Sequence, residues 1–576
     1  MSQILNRRAF IRRLASMSAV AASGAGLSGC LSDSSSETVQ APARFDYGVA
    51  SGDPLADRVV LWTHARRPDS DAVVELVYEV SLVEDFSTLV SSGTLSAAMD
   101  SDFTAKVDAS GLQPGSVYYY RFRAGDQTSP VGRTRTLPAG DVSEVRFAVM
   151  SCSNYPAGYF NVYREIAQSD AEFAIHLGDY IYEYEVGGYA DENAATLGRV
   201  SVPAGELLAL ADYRLRHAQY KSDPDAQRLH AAMPMIAVWD DHEIANDTYK
   251  DGAENHDADE GRFGARRDAA LQAYHEWMPI RTGAMHDHIY RRFDFGRLVS
   301  LHMLDTRVVG RDKQVSLGAL AGLEGAAEQA LAYGEFTSPS RQLLGAEQFA
   351  WLQSQLASSG ANWQVFGQQV LMGRMEVPAS VLAALNPENI SPEAQAAGMQ
   401  AIAAYLEAKA KQDAGLVLAP AEAALLDPQQ NPRLGYNLDA WDGYIAAREA
   451  VLATAHQLGK RVVSLAGDTH NAWHSDLTLK GLADPALAGV KVGEEFATTS
   501  ISSPGFEATL SALPAAQLEQ IFTAIIDDLK WVDASRRGYL KMHFTADEAR
   551  GEWVFVDTVI SRDYTAETGR VARYAA

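Results

Sequence analysis

Five short apolar runs constrain this chain more than any other feature, because each gives way to a cluster of acidic, imidazole or small polar residues. They read "VRFAVMSCSN", "FAIHLGDYIYEY", "MIAVWDDHEIAND", "LVSLHMLDTR" and "VVSLAGDTHNAW". Short apolar runs bounded by polar clusters are the pattern of strands buried on both faces. Segments of helical period lie between them, as in "GYFNVYREIAQSDA". This alternation predicts an α/β domain with its chemistry at the C-terminal ends of the strands.

The part of the chain before these runs has another pattern. From Phe45, short alternating runs ("RVVLWTHA", "AVVELVYEVSL", "FTAKVDASGL", "SVYYYRFRAG") are broken by Gly, Pro and Asp. That predicts a small antiparallel β-sandwich over residues 44–138, with "GLQPGSVYYYRFRAG" resembling the turn and strand of a fibronectin-type module. The α/β domain then spans 139–576. Ala-rich helical inserts are expected near 315–350 and 376–430, the second long enough for a lid or side wall.

The N-terminus reads "MSQILNRRAFIRRLASMSAVAASGAGLSGC". Arg7 and Arg8 ahead of a weak apolar stretch resemble a twin-arginine export signal. Leu27-Ser28-Gly29-Cys30 resembles a lipobox, so residues 1–30 are expected to be a lipoprotein signal. The Ser-rich segment 31–43 is then a flexible tether. Lipidation and plain cleavage both remove Cys30 from any disulfide. The chain has two cysteines, so Cys152 has no partner within it. In an exported protein such a thiol is buried packing, an intermolecular bridge or a metal ligand. The twin-arginine machinery carries folded proteins, which favours a metal installed before export.

Net charge is -25, and the first 30 residues carry four arginines and no acid. The remainder is therefore strongly acidic, which excludes an extended nucleic-acid surface. The expected location is the periplasm or the outer-membrane or cell surface, with membrane contact only through a lipidated N-terminus.

The strand-end clusters hold Cys152; Asp179 and Tyr182; Asp240, Asp241, His242 and Asn246; Asp305 and Arg307; Asp468, His470 and, further on, His474. Several acids gathered at one place repel unless cations sit among them. Asp and Asn suit hard cations such as calcium, whereas thiolate, phenolate and imidazole suit iron or zinc. The mixture points to two unlike metals side by side. Each piece has a plainer reading: a buried cysteine as packing, Asp-Arg as a salt bridge, Asp240-Asp241-His242 as a helix cap.

These blocks occur in a recognisable order. "FDYGVASGDPLADRVVLWTHA", "SCSN", "HLGDYIYEY", "VWDDHEIANDTY", "LDTR", "LGYNLDAWDGY", "LAGDTHNAW" and "TTSISSPG" resemble those of the alkaline phosphatase D (PhoD) family of calcineurin-like metallophosphoesterases. The resemblance runs from about residue 44 to the end. It implies a four-layer α-β-β-α metallophosphoesterase domain behind a small antiparallel β-sandwich, with Fe(3+) and Ca(2+) as cofactors. It also implies iron ligands at Cys152, Asp179, Tyr182 and His470, with Asp468 in the same site and Asp179 as the bridge. The calcium side takes Asp240 or its neighbour Asp241, with Asn246. Arg307 matches a phosphate-holding arginine, and His242 and His474 are candidate proton donors.

The function expected is an exported, metal-dependent phosphate-ester hydrolase that supplies phosphate, using a metal-activated hydroxide or oxide as nucleophile. Its substrates are small or polymeric phosphate esters. One alternative keeps the site and changes the substrate, as a phospholipase D-like phosphodiesterase on lipids or cell-wall polymers. Another class is a calcium-binding surface lipoprotein without catalysis.

Overall fold

The computed structural model describes residues 41–281, 288–321, 325–382, 392–511 and 513–576. The expected signal at 1–30 and the tether to residue 40 lie outside the described residues, as does part of the 376–430 insert.

Two sheets form the middle of the α/β region. In the first, the parallel strands Glu144–Met150, Phe173–His176 and Met235–Ala237 lie side by side. In the second, Val299–Met303, Trp363–Gly367, Val462–Ala466 and Lys491–Ala497 do the same. Their centres are apolar and fully buried, as at Phe147, Ile175, Leu301, Val365 and Val463. One core joins inward residues of both sheets with Val162, Leu229 and Tyr213 from the helices covering the first. A second core joins the outer face of the other sheet to Leu352, Val451, Leu452, Leu518 and Phe522 on the helices beyond it. The layers are therefore α-β-β-α, with a β module in front.

That module has two sheets. Strands Val74–Ser81, Leu89–Ala97, Val117–Ala124, Gln127–Thr128 and Gly132–Arg135 form one. They face Val49, Val59, Leu61 and Ala109 across a small core of Val80, Tyr118, Tyr120 and Phe122. The opposing strands Val49–Gly52, Arg58–His64 and Thr104–Ser110 do not make a free sheet. Gly52 pairs in parallel with Met235, so these strands extend the first central sheet. Only glycine allows that approach, since a Cβ at position 52 would lie 2.2 Å from the Pro279 carbonyl oxygen.

The insert after residue 376 is tied at its root. Glu376–Pro378 pairs with Arg433–Gly435 as a short antiparallel ribbon. The helix Pro392–Asp413 rises beyond it and buries Ile402, Tyr405 and Ala408. The ribbon sets Met375 beside Tyr436, whose amide donates to the Met375 carbonyl at 3.0 Å.

Candidate metal centre

The parallel strands deliver their C-terminal loops to one rim, and the loops there are strained. Cys152, Asp179, Asp468 and His470 all have left-handed backbones, with φ of 61°, 54°, 64° and 61°. This conformation costs a non-glycine residue of order 1–3 kcal/mol and persists only where surroundings enforce it. Gly178, at φ 112°, lets the Asp179 loop cross the Asp240 loop, because a Cβ there would lie 2.4 Å from Asp240 Cβ. The Cys152 amide donates to the Gly178 carbonyl at 3.1 Å and that of Ser153 to Asp179 at 2.9 Å.

Three groups of ligand atoms follow, each lying within 4.8 Å of one another: Cys152, Asp179 and His470; Asp179, Asp241 and His242; Asp240, Asp241 and Asp468. Asp179 is shared by the first two, and Asp241 by the last two. Tyr182 joins the first group, its hydroxyl 3.1 Å from Asp179 Oδ2 and 3.1 Å from His470 Nε2. His470 Nδ1 lies 2.8 Å from the Pro504 carbonyl, which accepts its proton and leaves Nε2 as the free ligand atom. Asn246 donates from Nδ2 to Glu254 at 3.1 Å, so Oδ1 is the atom open to a hard cation.

Asp179, Asp241, His242, Asn246, Asp468 and His470 border a cavity of about 340 Å³, together with Tyr184, Tyr189, Met375, Tyr436 and Phe506. Electrostatics at its floor call for positive charge. Burial, followed by the field of Asp179, pushes the Cys152 thiol well up. Burial likewise raises Asp179 and Asp240 well above the carboxylate range, and Asp468 to about 7. Among the described residues, Asp179 Oδ1 and Asp240 Oδ2 are buried without a hydrogen-bond partner. Donor atoms of this kind, orphaned and unfavourable as anions on their own, fit cations well: S, N and phenol oxygen on one side, carboxylate and amide oxygen on the other.

Burial opposes the charge on His242, but Asp241, Glu183 and Asp179 outweigh it and raise the imidazole well above its ordinary value. Its Nδ1 is 2.7 Å from Glu183 Oε2, and its ring stacks on Tyr182 at 4.3 Å.

Two of the expected residues lie away from the cavity. Arg307, expected to grip a phosphoryl group, is fully buried and absent from the cavity lining. Its Nε binds Asp240, Nη1 lies 2.9 Å from Asp439 Oδ1, and Nη2 lies 2.9 Å from Asp468 Oδ1. It is the internal countercharge of the acidic cluster. His474 lies on the strand Ala472–Thr478 between the sheets, its Nε2 2.7 Å from Glu494 and its ring 4.8 Å from Phe496. It has no place in the cavity.

The residues that sequence reasoning missed support the ligands. Ser503 Oγ is 2.7 Å from the Tyr182 hydroxyl, and the Tyr189 hydroxyl is 3.2 Å from His470 Nδ1. Asp439 binds both Arg307 and Arg311. Ser503 and Asp439 stand in the blocks "TTSISSPG" and "LGYNLDAWDGY", but nothing in those strings says which residue turns inward.

Residues 147–553 match the family model described as PhoD-like phosphatase, and residues 31–138 match its N-terminal domain. Alkaline phosphatase D of Bacillus subtilis (strain 168) is 35% identical over 476 residues, covering 80% of this chain and 70% of that protein. A solved structure of PhoD superposes with a TM-score of 0.72 at 30% identity, over 94% of this chain and 91% of that one.

Proposed function

The chain belongs to the PhoD-like phosphatase family and is a phosphoric ester hydrolase, and we propose that it works as an exported, metal-dependent enzyme that releases phosphate for uptake. The observation that carries metal dependence is the strained, buried donor set around Asp179. Cys152, Asp179, Tyr182 and His470 would hold Fe(3+), with Asp468 beside them. Asp240, Asp241 and Asn246 would hold Ca(2+). When bound, these cations supply Lewis acidity that activates water and spreads the negative charge of the phosphoryl oxygens.

The chain's own groups do the rest. Pro504 and Tyr189 fix the tautomer of His470. Arg307 keeps Asp240, Asp439 and Asp468 together without touching substrate. Glu183 accepts Nδ1–H of His242 and, with Asp241 and Asp179, favours the doubly protonated ring, whose Nε2–H at the cavity wall is the proton source for the departing oxygen. Tyr184, Tyr436 and Phe506 supply the aromatic part of the cavity lining.

Export rests on the N-terminal arginine pair and lipobox. Among the described residues no helix is long and apolar enough to cross a membrane.

The test is elemental analysis of natively loaded protein, with rates on a phosphomonoester, a bis-ester and a phosphatidyl lipid before and after calcium chelation. Iron near one per chain and calcium-dependent turnover are expected. Calcium binding without iron or turnover would instead fit a binding lipoprotein. Replacing Cys152 by Ala should remove iron and activity together, and a fully active variant that still holds iron would refute its role.

A further inference from the structure

Two neighbouring parallel strands, Phe173–His176 and Met235–Ala237, deliver Asp179 and Asp240 to the acidic cluster. A third acid lies behind them. Glu243 is buried at 1% exposure and does not border the cavity. Its Oε2 accepts the Asp179 amide at 3.1 Å and the Asp240 amide at 2.7 Å, and its Oε1 accepts the Tyr180 amide at 2.5 Å.

The contact to Asp240 is local and resembles the carboxylate of a capping box, reaching back three residues. The other two cross to a different loop. One carboxyl group thus fixes the backbones of two candidate ligand residues against each other. It also acts where fixing is needed, because Asp179 sits at φ 54° and its Oδ1 has no hydrogen-bond partner among the described residues.

The geometry points to Glu243 as the positioning residue that fixes the calcium-side Asp240 against Asp179, the acid shared by two of the three ligand groups, an inference that rests on the metal-dependent reading above. Glu243 touches neither substrate nor cation. It sets how much rearrangement the carboxylates undergo on binding, and therefore calcium affinity and kcat rather than KM for the ester.

Glu495 provides an internal control. It is also a buried acid that accepts backbone amides, from Met372 at 2.7 Å and Gly373 at 2.8 Å, together with the Ser464 hydroxyl. It does not join the loops of the metal cluster.

The experiment compares wild type, Glu243→Gln and Glu495→Gln by calorimetric titration with calcium chloride, iron analysis, thermal melting and steady-state kinetics. Glu243→Gln is expected to keep its iron and to bind calcium at least tenfold more weakly. Its kcat should fall, recovering in part at saturating calcium, with KM little changed. Glu495→Gln should melt earlier with the wild-type calcium titration. If Glu243→Gln melts earlier but titrates like wild type, Glu243 is a structural acid only and the inference fails. If Glu243→Gln yields no soluble protein, Glu243→Asp, one methylene too short to reach both loops, is titrated in its place. An unchanged affinity there overturns the inference equally. A wild type that holds neither iron nor calcium defeats the metal-dependent reading itself, a distinct result.

Discussion

At the scale of single residues, Arg307 shows how a site changes meaning once burial is known. A guanidinium near acids and a phosphate site suggests a phosphate grip. With three nitrogens committed to carboxylates and no exposure, its work is to neutralise. Removing one partner from a buried ion network leaves uncompensated charge and typically costs about 3–5 kcal/mol. Arg307→Met is therefore expected to melt much earlier than wild type. Added calcium should raise its melting temperature more than that of wild type, because the cation replaces the lost charge. Thermal melts with and without calcium check this. A variant that melts like wild type but shows a large rise in KM would restore the phosphate-grip role. Asp241 illustrates the same field: burial raises its carboxyl, yet Arg307 and His242 outweigh this and bring it to about 2.

At the scale of elements, the strand ends were legible and their supports were not. An apolar run followed by "SC", "GD", "DDHE" or "GDTH" marks a buried strand and its chemical loop, because burial on both faces leaves only the ends polar. Which side chain turns inward from a loop depends on its backbone angles and on loops distant in sequence. Glu183 and Glu243 therefore read as ordinary acids until Asn246, Asp179 and Tyr180 appear as their partners. His474 shows the converse, since four residues beyond His470 the extended strand Ala472–Thr478 has carried the next histidine out of the site and into the core.

The helix Leu210–Lys221 makes a quantitative case of the same kind. It turns Tyr213, Arg216, His217, Tyr220 and Lys221 inward, and both ring nitrogens of His217 are buried without a hydrogen-bond partner among the described residues. Burial, then Lys221 and Arg216, lower its pKa from 6.5 to about 3. Between those values the unfolded chain takes a proton that the folded chain refuses, so this group lowers stability as pH falls. Each pH unit is worth about 1.4 kcal/mol per group. His217→Leu should therefore gain stability relative to wild type on going from pH 7 to pH 5. Urea unfolding at both values measures the difference, and an unchanged gap would show that His217 is protonated in the fold.

At the scale of the whole molecule, the β module and the α/β domain behave as one body because they share a sheet and an ion pair. Strand Val49–Gly52 continues the central sheet through Met235. The next residue, Asp53, is fully buried at φ 42° and receives Arg291 twice, Nη2 at 2.6 Å on Oδ1 and Nε at 3.0 Å on Oδ2. The Arg281 amide adds a bond at 2.8 Å. Both arginines belong to the α/β side, so the clamp spans the junction behind the strand that leads to Asp240. Replacing Asp53 by Ala leaves Arg291 with only the Ile289 and Ala237 carbonyls as acceptors and no countercharge, and should cost about 3–5 kcal/mol. If the module were a separate body, that loss would appear as an early, small transition followed by the catalytic domain melting at its usual temperature. A shared sheet makes the opposite outcome the expected one: a single calorimetric transition, shifted downward as a whole, with phosphatase activity lost in the same interval. Scanning calorimetry at one fixed rate, paired with residual activity along the ramp, separates the two, and an early shoulder with activity intact beyond it would show that the junction does not couple them.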